Sequence, residues 1–458
     1  MRKWLCVVCG LIYDEAKGWP DDGIMAGTRW EDVPDDWLCP DCGVGKADFE
    51  MIEITESPVA AAAASASETA LETSMAAVLN DEPPVVIVGS GFAGYTLAET
   101  LREKAPQKPI IVFTSDDGAN YSKPGLSNAL TRGKSAPELV TETALQIEQR
   151  LNIRVYTRVQ AERIDADAHV LHTDIGEQTY SKLILTTGAA PIRLPLAGTG
   201  ASDVLSVNDL TDYRVMRARL EGAKKVCIIG NGLIGCEFAN DLSNQGLQVT
   251  VVGLGDWAMQ GLIPQSVGEA LQAKLSEQGV SWQLQTSVEI VDQAESGYRL
   301  TLTSGEVVDA DLVISAVGLR PRTELAQTAG IDCGRGVKVN GGLRTSVADI
   351  YALGDCAELQ GKVLPYIAPI NFGVRALADC LLGRPTMAQY PHMPVVVKTP
   401  ALPLTIQSPE PGTEGEWQTD TTDSGMRSLL RDSAGMLKGF VLAGSCTAER
   451  QQWLDQLI

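Results

Sequence analysis

Long apolar runs are missing from this 458-residue chain: none approaches the ~20 residues needed to span a bilayer. The N-terminus also lacks the cationic-then-apolar layout of a secretory signal. Both absences point to a cytoplasmic protein with no membrane insertion. Basic residues are scarce, 37 Lys and Arg against 58 Asp and Glu, for a formal net charge of -21. Phosphate fields would repel such a chain, so neither nucleic acid nor an anionic lipid surface is expected as a partner. Histidine is rarer still. The three present, His169, His172 and His392, stand outside any catalytic His–Glu motif and read as ordinary surface residues.

What is present begins with length, which implies two or more domains with substantial cores. Ten cysteines without a secretory signal read as metal ligands or buried thiols rather than a disulfide framework. Four are grouped: Cys6 with Cys9 and Cys39 with Cys42 form two C-x-x-C knuckles separated by 29 residues. Two knuckles of this kind set four thiolates around one tetrahedral iron or zinc ion. A zinc ribbon for nucleic acid would surround them with Lys and Arg, whereas Asp21, Asp22, Asp32, Asp35 and Asp36 crowd the intervening loop. Trp4, Tyr13, Trp30, Trp37 and Phe49 can pack a small core beside the metal, which doubles as a staple for so short a module. The runs CVVCGLIYDEAKGWPDDGI and AGTRWEDVPDDWLCPDCGVGKADFE closely resemble rubredoxin, specifically the rubredoxins that serve alkane hydroxylases. The resemblance implies a metal-bound β domain over 1–54 with one Fe held by the four thiolates of Cys6, Cys9, Cys39 and Cys42, cycling between ferrous and ferric; zinc is the alternative.

Residues 55–83 are rich in Ala, Ser, Thr and Glu and read as a flexible or partly helical linker. A buried-strand run, Val85 to Val88, then leads into Gly89-Ser90-Gly91-Phe92-Ala93-Gly94 and a helical pattern. Such glycines allow a tight turn and let a pyrophosphate approach a helix N-terminus. The pattern recurs 141 residues later, where Lys225 to Ile229 precedes Gly230-Asn231-Gly232-Leu233-Ile234-Gly235. Two such folds suit an enzyme that holds FAD in one and a nicotinamide nucleotide in the other. Leu183 to Thr187 runs into Gly188, where the chain would cross between domains, and the run Asp349 to Cys356 places Asp355 after a strand, at an expected helix start. Together these motifs resemble the two-dinucleotide flavoprotein reductases, and the resemblance implies that Asp355 accepts hydrogen bonds from the flavin ribityl chain. The expected class is α/β: an FAD-binding domain over 84–193 and 309–380 and an NAD(H)-binding domain over 194–308, both doubly wound. A small α+β C-terminal domain over 381–458 follows.

Disulfide reductases of this fold carry a cysteine pair beside the flavin. Here Cys227, Cys236, Cys333, Cys356, Cys380 and Cys446 are scattered and read as buried or inert, so electrons must pass to a separate acceptor. The segments Tyr121 to Ser127 and Val395 to Pro400 look like rubredoxin reductase. That resemblance implies Lys123 near the flavin N5 edge, paired with Glu237, and Lys398 as a buried cation stabilising the reduced ring. The electron path would run from NADH through FAD to the chain's own rubredoxin domain, and the alkane-type resemblance implies a membrane-bound alkane monooxygenase as terminal acceptor. After the nucleotide-domain strand Val249–Val252 comes Gly253, then Asp256, with no Lys or Arg to hold a 2′-phosphate, so NADH is favoured over NADPH.

Overall fold

The computed structural model describes residues 2–6, 11–40, 45–46, 49–52 and 83–457. The linker expected over 55–83 lies almost wholly outside them, as do two of the four expected metal ligands, Cys9 and Cys42.

In the N-terminal module, β1 (Lys3–Cys6) pairs antiparallel with β2 (Ile12–Asp14) and β3 (Phe49–Ile52). The expected aromatics do form the core: Tyr13, Trp30, Trp37 and Phe49 are buried, with Trp30 and Phe49 ring centres 4.8 Å apart and Trp4 stacked on Trp30 at 5.0 Å. Cys6 and Cys39 are buried in the same cluster. Glu15, only 3 % exposed, ties the chain end to this core. It accepts from the amides of Arg2 (2.9 Å) and Trp30 (3.0 Å), from Arg2 Nε (3.2 Å) and from Trp4 Nε1 (3.3 Å). Burial pushes its carboxyl up, but these donors outweigh it and hold the pKa at about 2. The depressed value means that the stabilisation is complete above the ordinary 4.5 and is lost as pH falls toward about 2. Glu15→Gln should therefore weaken this module near neutral pH by about 3 kcal/mol. A tryptophan-fluorescence melt of the full chain at neutral pH checks this, and an unmoved N-terminal transition would refute it.

From Pro83 the chain alternates strand and helix: β4 (Val85–Val88), α1 (Phe92–Lys104), β5 (Ile110–Phe113), α2 (Ala144–Leu151), β6 (Arg154–Tyr156) and β7 (Lys182–Leu185). Next come α3 (Leu210–Arg219), β8 (Lys225–Ile229), α4 (Leu233–Ser243), β9 (Gln248–Val252), α5 (Gln265–Glu277), β10 (Val280–Gln283) and β11 (Leu312–Ser315). Then follow β12 (Ile350–Ala352) and α6 (Ile367–Leu381). The first parallel sheet has the order β12-β7-β4-β5-β6 and the second β10-β9-β8-β11. Strands covered on both faces read as unbroken apolar runs, and β4 is buried at all four positions. On the first sheet α1 and α6 share one core through Leu97, Leu101, Val374 and Leu377.

Two expectations need correction. The boundary at residue 309 is too early, because β11 pairs in parallel with β8 and so belongs to the nucleotide sheet. The chain crosses back later, where Leu319–Pro321 pairs antiparallel with Ala189–Pro191. Asp355 also does not start a helix. Gly354, at φ +84°, turns the chain into the short strand Ala357–Leu359, which pairs in parallel with Val337–Val339, and α6 begins only at Ile367.

The C-terminal part is an antiparallel sheet of β13 (Val395–Val397), β14 (Leu404–Gln407), β15 (Glu416–Thr421), β16 (Gly425–Arg431) and β17 (Leu437–Gly444), ordered β13-β14-β17-β16-β15. A short terminal helix, Arg450–Leu454, packs Trp453 against Phe440 and Leu442. Strand alternation divides β13 between two neighbours. Val395 and Val397 join the core that contains Phe238 of α4, while Val396 packs against the aromatic cluster of the N-terminal module.

Candidate functional site

Glycine geometry defines both dinucleotide cradles. Gly89 sits at φ +115°, where a Cβ would lie 2.2 Å from the Thr186 carbonyl oxygen. At Gly94 a Cβ would lie 2.0 Å from Gly89 O, so α1 can pack onto the turn only with hydrogen at that position. Gly91, the N-cap of α1, faces open space. The second cradle repeats the design: a Cβ at Gly235 would lie 2.0 Å from Gly230 O, and Gly232, the N-cap of α4, is open. Each pair leaves room for a phosphate group against the free N–H groups of a helix start, which suits FAD at α1 and a nicotinamide nucleotide at α4.

Beyond Gly232 lies a cleft of about 420 Å³ lined by Asn231, Gly232, Gly255, Met259, Gln260 and Leu262, with no Lys or Arg in its lining. Asp256 is exposed, and Gln260 brackets it: its Oε1 takes the Asp256 amide at 2.8 Å and its Nε2 donates to Asp256 Oδ2 at 3.0 Å. The acid after β5 behaves differently. Asp116, itself exposed, accepts from Thr114 Oγ1 (2.6 Å), Gly118 N (2.9 Å) and Ser90 Oγ (3.1 Å), so it braces the turn below the first cradle.

Two predicted residues, Glu237 and Lys398, meet where the parts join, while the third, Lys123, pairs elsewhere. Glu237, fully buried on α4, is held by Lys398, whose Nζ lies 2.9 Å from both carboxylate oxygens and whose amide donates to Oε1 at 2.9 Å. Ser127 Oγ donates to the other oxygen at 2.5 Å. Lys123 is not Glu237's partner. Its Nζ lies 3.8 Å from Asp355 Oδ2, because it leads the 3-10 turn Lys123–Asn128, which delivers Ser127 to α4. Although 39 % of its side chain is exposed, crowding desolvates Lys123 and lowers its pKa against the pull of Asp355. Burial likewise pushes the Asp355 carboxyl up, with Lys123 and Arg322 opposing it.

Sequence reasoning missed Arg322 and Ser127. Arg322 Nη1 donates to Thr187 O at 3.0 Å, and its amide donates to Gly188 O at 3.0 Å, fixing the returning chain onto the glycine at φ +67°. Its place just after the crossing strand was the available signal. Among the described residues the scattered cysteines form no redox pair: burial holds the Cys227 and Cys236 thiols up at about 12, far from thiolate reactivity.

Three regions match protein-family models: residues 3–49 rubredoxin, 83–376 pyridine nucleotide-disulphide oxidoreductase, and 387–457 the rubredoxin binding C-terminal domain. The chain is 41 % identical to a rubredoxin-NAD(+) reductase of Acinetobacter baylyi, over 82 % of this chain and 98 % of the relative. It is 42 % identical to a protein of the same name from Alcanivorax borkumensis, with the same coverage of both chains. Among solved structures, the ferredoxin reductase for the CYP199A2 system from Rhodopseudomonas palustris aligns with a TM-score of 0.75 at 24 % identity, covering 82 % of this chain and 96 % of that one, which shows a shared fold.

Proposed function

The chain belongs to the pyridine nucleotide-disulphide oxidoreductase family, and from that premise we propose that it passes electrons from NADH through FAD to the iron of its own rubredoxin domain, for delivery to an alkane monooxygenase. The observation that carries this reading is the segment of β13: Val396 contacts the aromatic cluster around Cys6 and Cys39, and Lys398, two residues on, holds Glu237 on the helix that opens at the second cradle. When bound, FAD accepts two electrons from the nicotinamide and releases them singly.

The protein's share is binding, orientation and charge. Gly89, Gly91 and Gly94 admit the FAD pyrophosphate, with Gly188 and Asp355 at the inner end of the same cradle. Gly230, Gly232 and Gly235 admit that of the nucleotide. Lys123 and Lys398 supply positive charge beside the flavin, each balanced by a carboxylate, Asp355 and Glu237. Cys6, Cys9, Cys39 and Cys42 would hold the iron. The Asp256–Gln260 pair at a cleft edge lined by no cation favours ribose hydroxyls over a 2′-phosphate, hence NADH over NADPH. Among the described residues no helix is long and apolar enough to cross a membrane. A cytoplasmic location, where NADH is available, belongs to the same proposal.

Anaerobic stopped-flow mixing with NADH, following flavin and iron–thiolate absorbance together, tests the route. The iron band should bleach after the flavin at a rate independent of protein concentration, and NADPH should give the lower kcat/KM. A flavin that reduces while the iron band stays would remove the rubredoxin domain as acceptor. The terminal step is tested by adding a membrane-bound alkane monooxygenase: NADH oxidation should couple to alcohol formation, and its absence would withdraw that step alone.

A further inference from the structure

α4 is buried on all sides through its second half, yet it carries Glu237, Asn240, Asp241 and Ser243 there. Buried polar groups persist only with partners, and most of these partners come from other parts of the chain. Glu237 holds Ser127 and Lys398. Asn240 Oδ1 accepts the Ala401 amide at 3.0 Å. Asp241, 2 % exposed and one turn beyond Glu237, accepts the amides of Thr131 (2.7 Å) and Leu130 (3.2 Å). Beside it Asn244 Nδ2 donates to Thr131 Oγ1 at 3.1 Å and Gln245 Nε2 to Leu130 O at 3.2 Å. The stretch from Ser127 to Thr131 is thus pinned along the same helix whose first turn forms the nucleotide cradle.

We propose that Asp241 is a positioning residue for the flavin edge: by fixing Leu130 and Thr131 it aims the Ser127 hydroxyl at Glu237, and its own charge acts through Glu237 on Lys398. The inference rests on the reading that Lys398 faces the flavin. A serine hydroxyl has one proton to give, and Ser127 Oγ also lies 3.4 Å from Pro124 O, so the placement of this turn decides which oxygen receives it. Side chains four apart on a helix are neighbours about 6 Å away, and dry surroundings leave a charge at that range poorly screened.

Asp241 also changes charge within reach of neutral pH. Burial pushes its carboxyl up to about 6, against the hydrogen bonds from Thr131 and Leu130 and the charge of Arg217. Arg217 and Tyr213 on α3 act on it, Glu237 lies one turn back on α4, and Lys398 faces Glu237 from beyond the end of β13. Arginine keeps its charge, and burial moves the Tyr213 hydroxyl further up. Below about 6 Asp241 is neutral; above it, a negative charge is added beside Glu237, which disfavours electron uptake at the flavin.

The test is the flavin midpoint potential of the full-length, FAD-loaded protein, measured by spectroelectrochemistry on both sides of pH 6. The wild type should show a downward inflection near about pH 6. Asp241→Asn should abolish it. Thr131→Val, which keeps the amide but removes the Thr131 hydroxyl whose hydrogen bond to Asp241 also lowers this pKa, should move it to higher pH, and this milder variant decides the matter should Asp241→Asn fail to fold. Lys398→Met is measured alongside. If its potential shifts while Asp241→Asn and Thr131→Val trace the wild-type curve, the role of Asp241 is overturned. If Lys398→Met leaves the potential unchanged, it is the reading of Lys398 that fails.

Discussion

Gly94→Ala should yield protein without flavin. The added methyl would lie 2.0 Å from Gly89 O and 3.1 Å from Thr186 Oγ1. The first of these is backbone on a turn already committed to positive φ, so the clash can be relieved only by lifting α1 off the sheet. That movement would separate Leu97 and Leu101 from Val374 and Leu377 and pull the helix N-terminus from the phosphate position. A destabilisation of at least about 3 kcal/mol is expected, together with loss of the flavin absorbance band from the purified protein. Gly91→Ala is the contrasting variant. Its methyl meets no protein atom, so the melting temperature of the flavin-free protein should hold while FAD affinity drops. Normal flavin content in Gly94→Ala would show that the first cradle is assigned to the wrong glycines.

Lys398→Met should be the most damaging single change at the junction. It would strip the counter-ion from a fully buried carboxylate, leaving Glu237 with only Ser127 and a backbone amide. Removing one partner of a buried ion pair costs about 3 to 5 kcal/mol, whereas replacing both partners is often close to neutral. Pairing Lys398→Met with Glu237→Gln should therefore restore most of the melting temperature. It should not restore the chemistry. On the reading that Lys398 stabilises charge on the reduced flavin, both variants should reduce on the order of 100-fold more slowly with NADH, a loss of the size seen when one preorganised donor is removed. Recovery of both stability and rate in the double variant would leave the pair a purely structural role.

What could be read in advance was whatever local sterics or valence force onto a short stretch of chain. Only glycine tolerates φ +115° at Gly89 or a neighbour 2.0 Å away at Gly94, so both cradles were legible as patterns. A lysine after three valines likewise announced Lys398. What escaped depends on contacts between distant segments. An unbroken apolar run such as β11 does not say which of two parallel sheets it enters, and so the domain boundary was set too early. Lys123 and Lys398 are equivalent candidates for Glu237 until the turn at Lys123–Asn128 commits Lys123 to Asp355. Asp241 gave no signal because a carboxylate in a helix is usually solvated. Its partners are backbone amides more than a hundred residues away in sequence, and backbone amides carry no sequence signature.

The parity of β13 also bears on how this chain can change over generations. Val396 has the strand parity opposite to the core-facing Val395 and Val397, and Lys398 follows directly on the strand's last residue. Exchanging one side chain here alters one contact. Inserting or deleting a single residue between Val395 and Lys398 would invert the parity of everything beyond it, turning a core valine outward and breaking the alignment of iron-module contact and flavin-side cation together. Lineages of this protein should accordingly tolerate varied residues in this strand while keeping its length fixed, and loops such as the one between β14 and β15 should absorb the length variation instead.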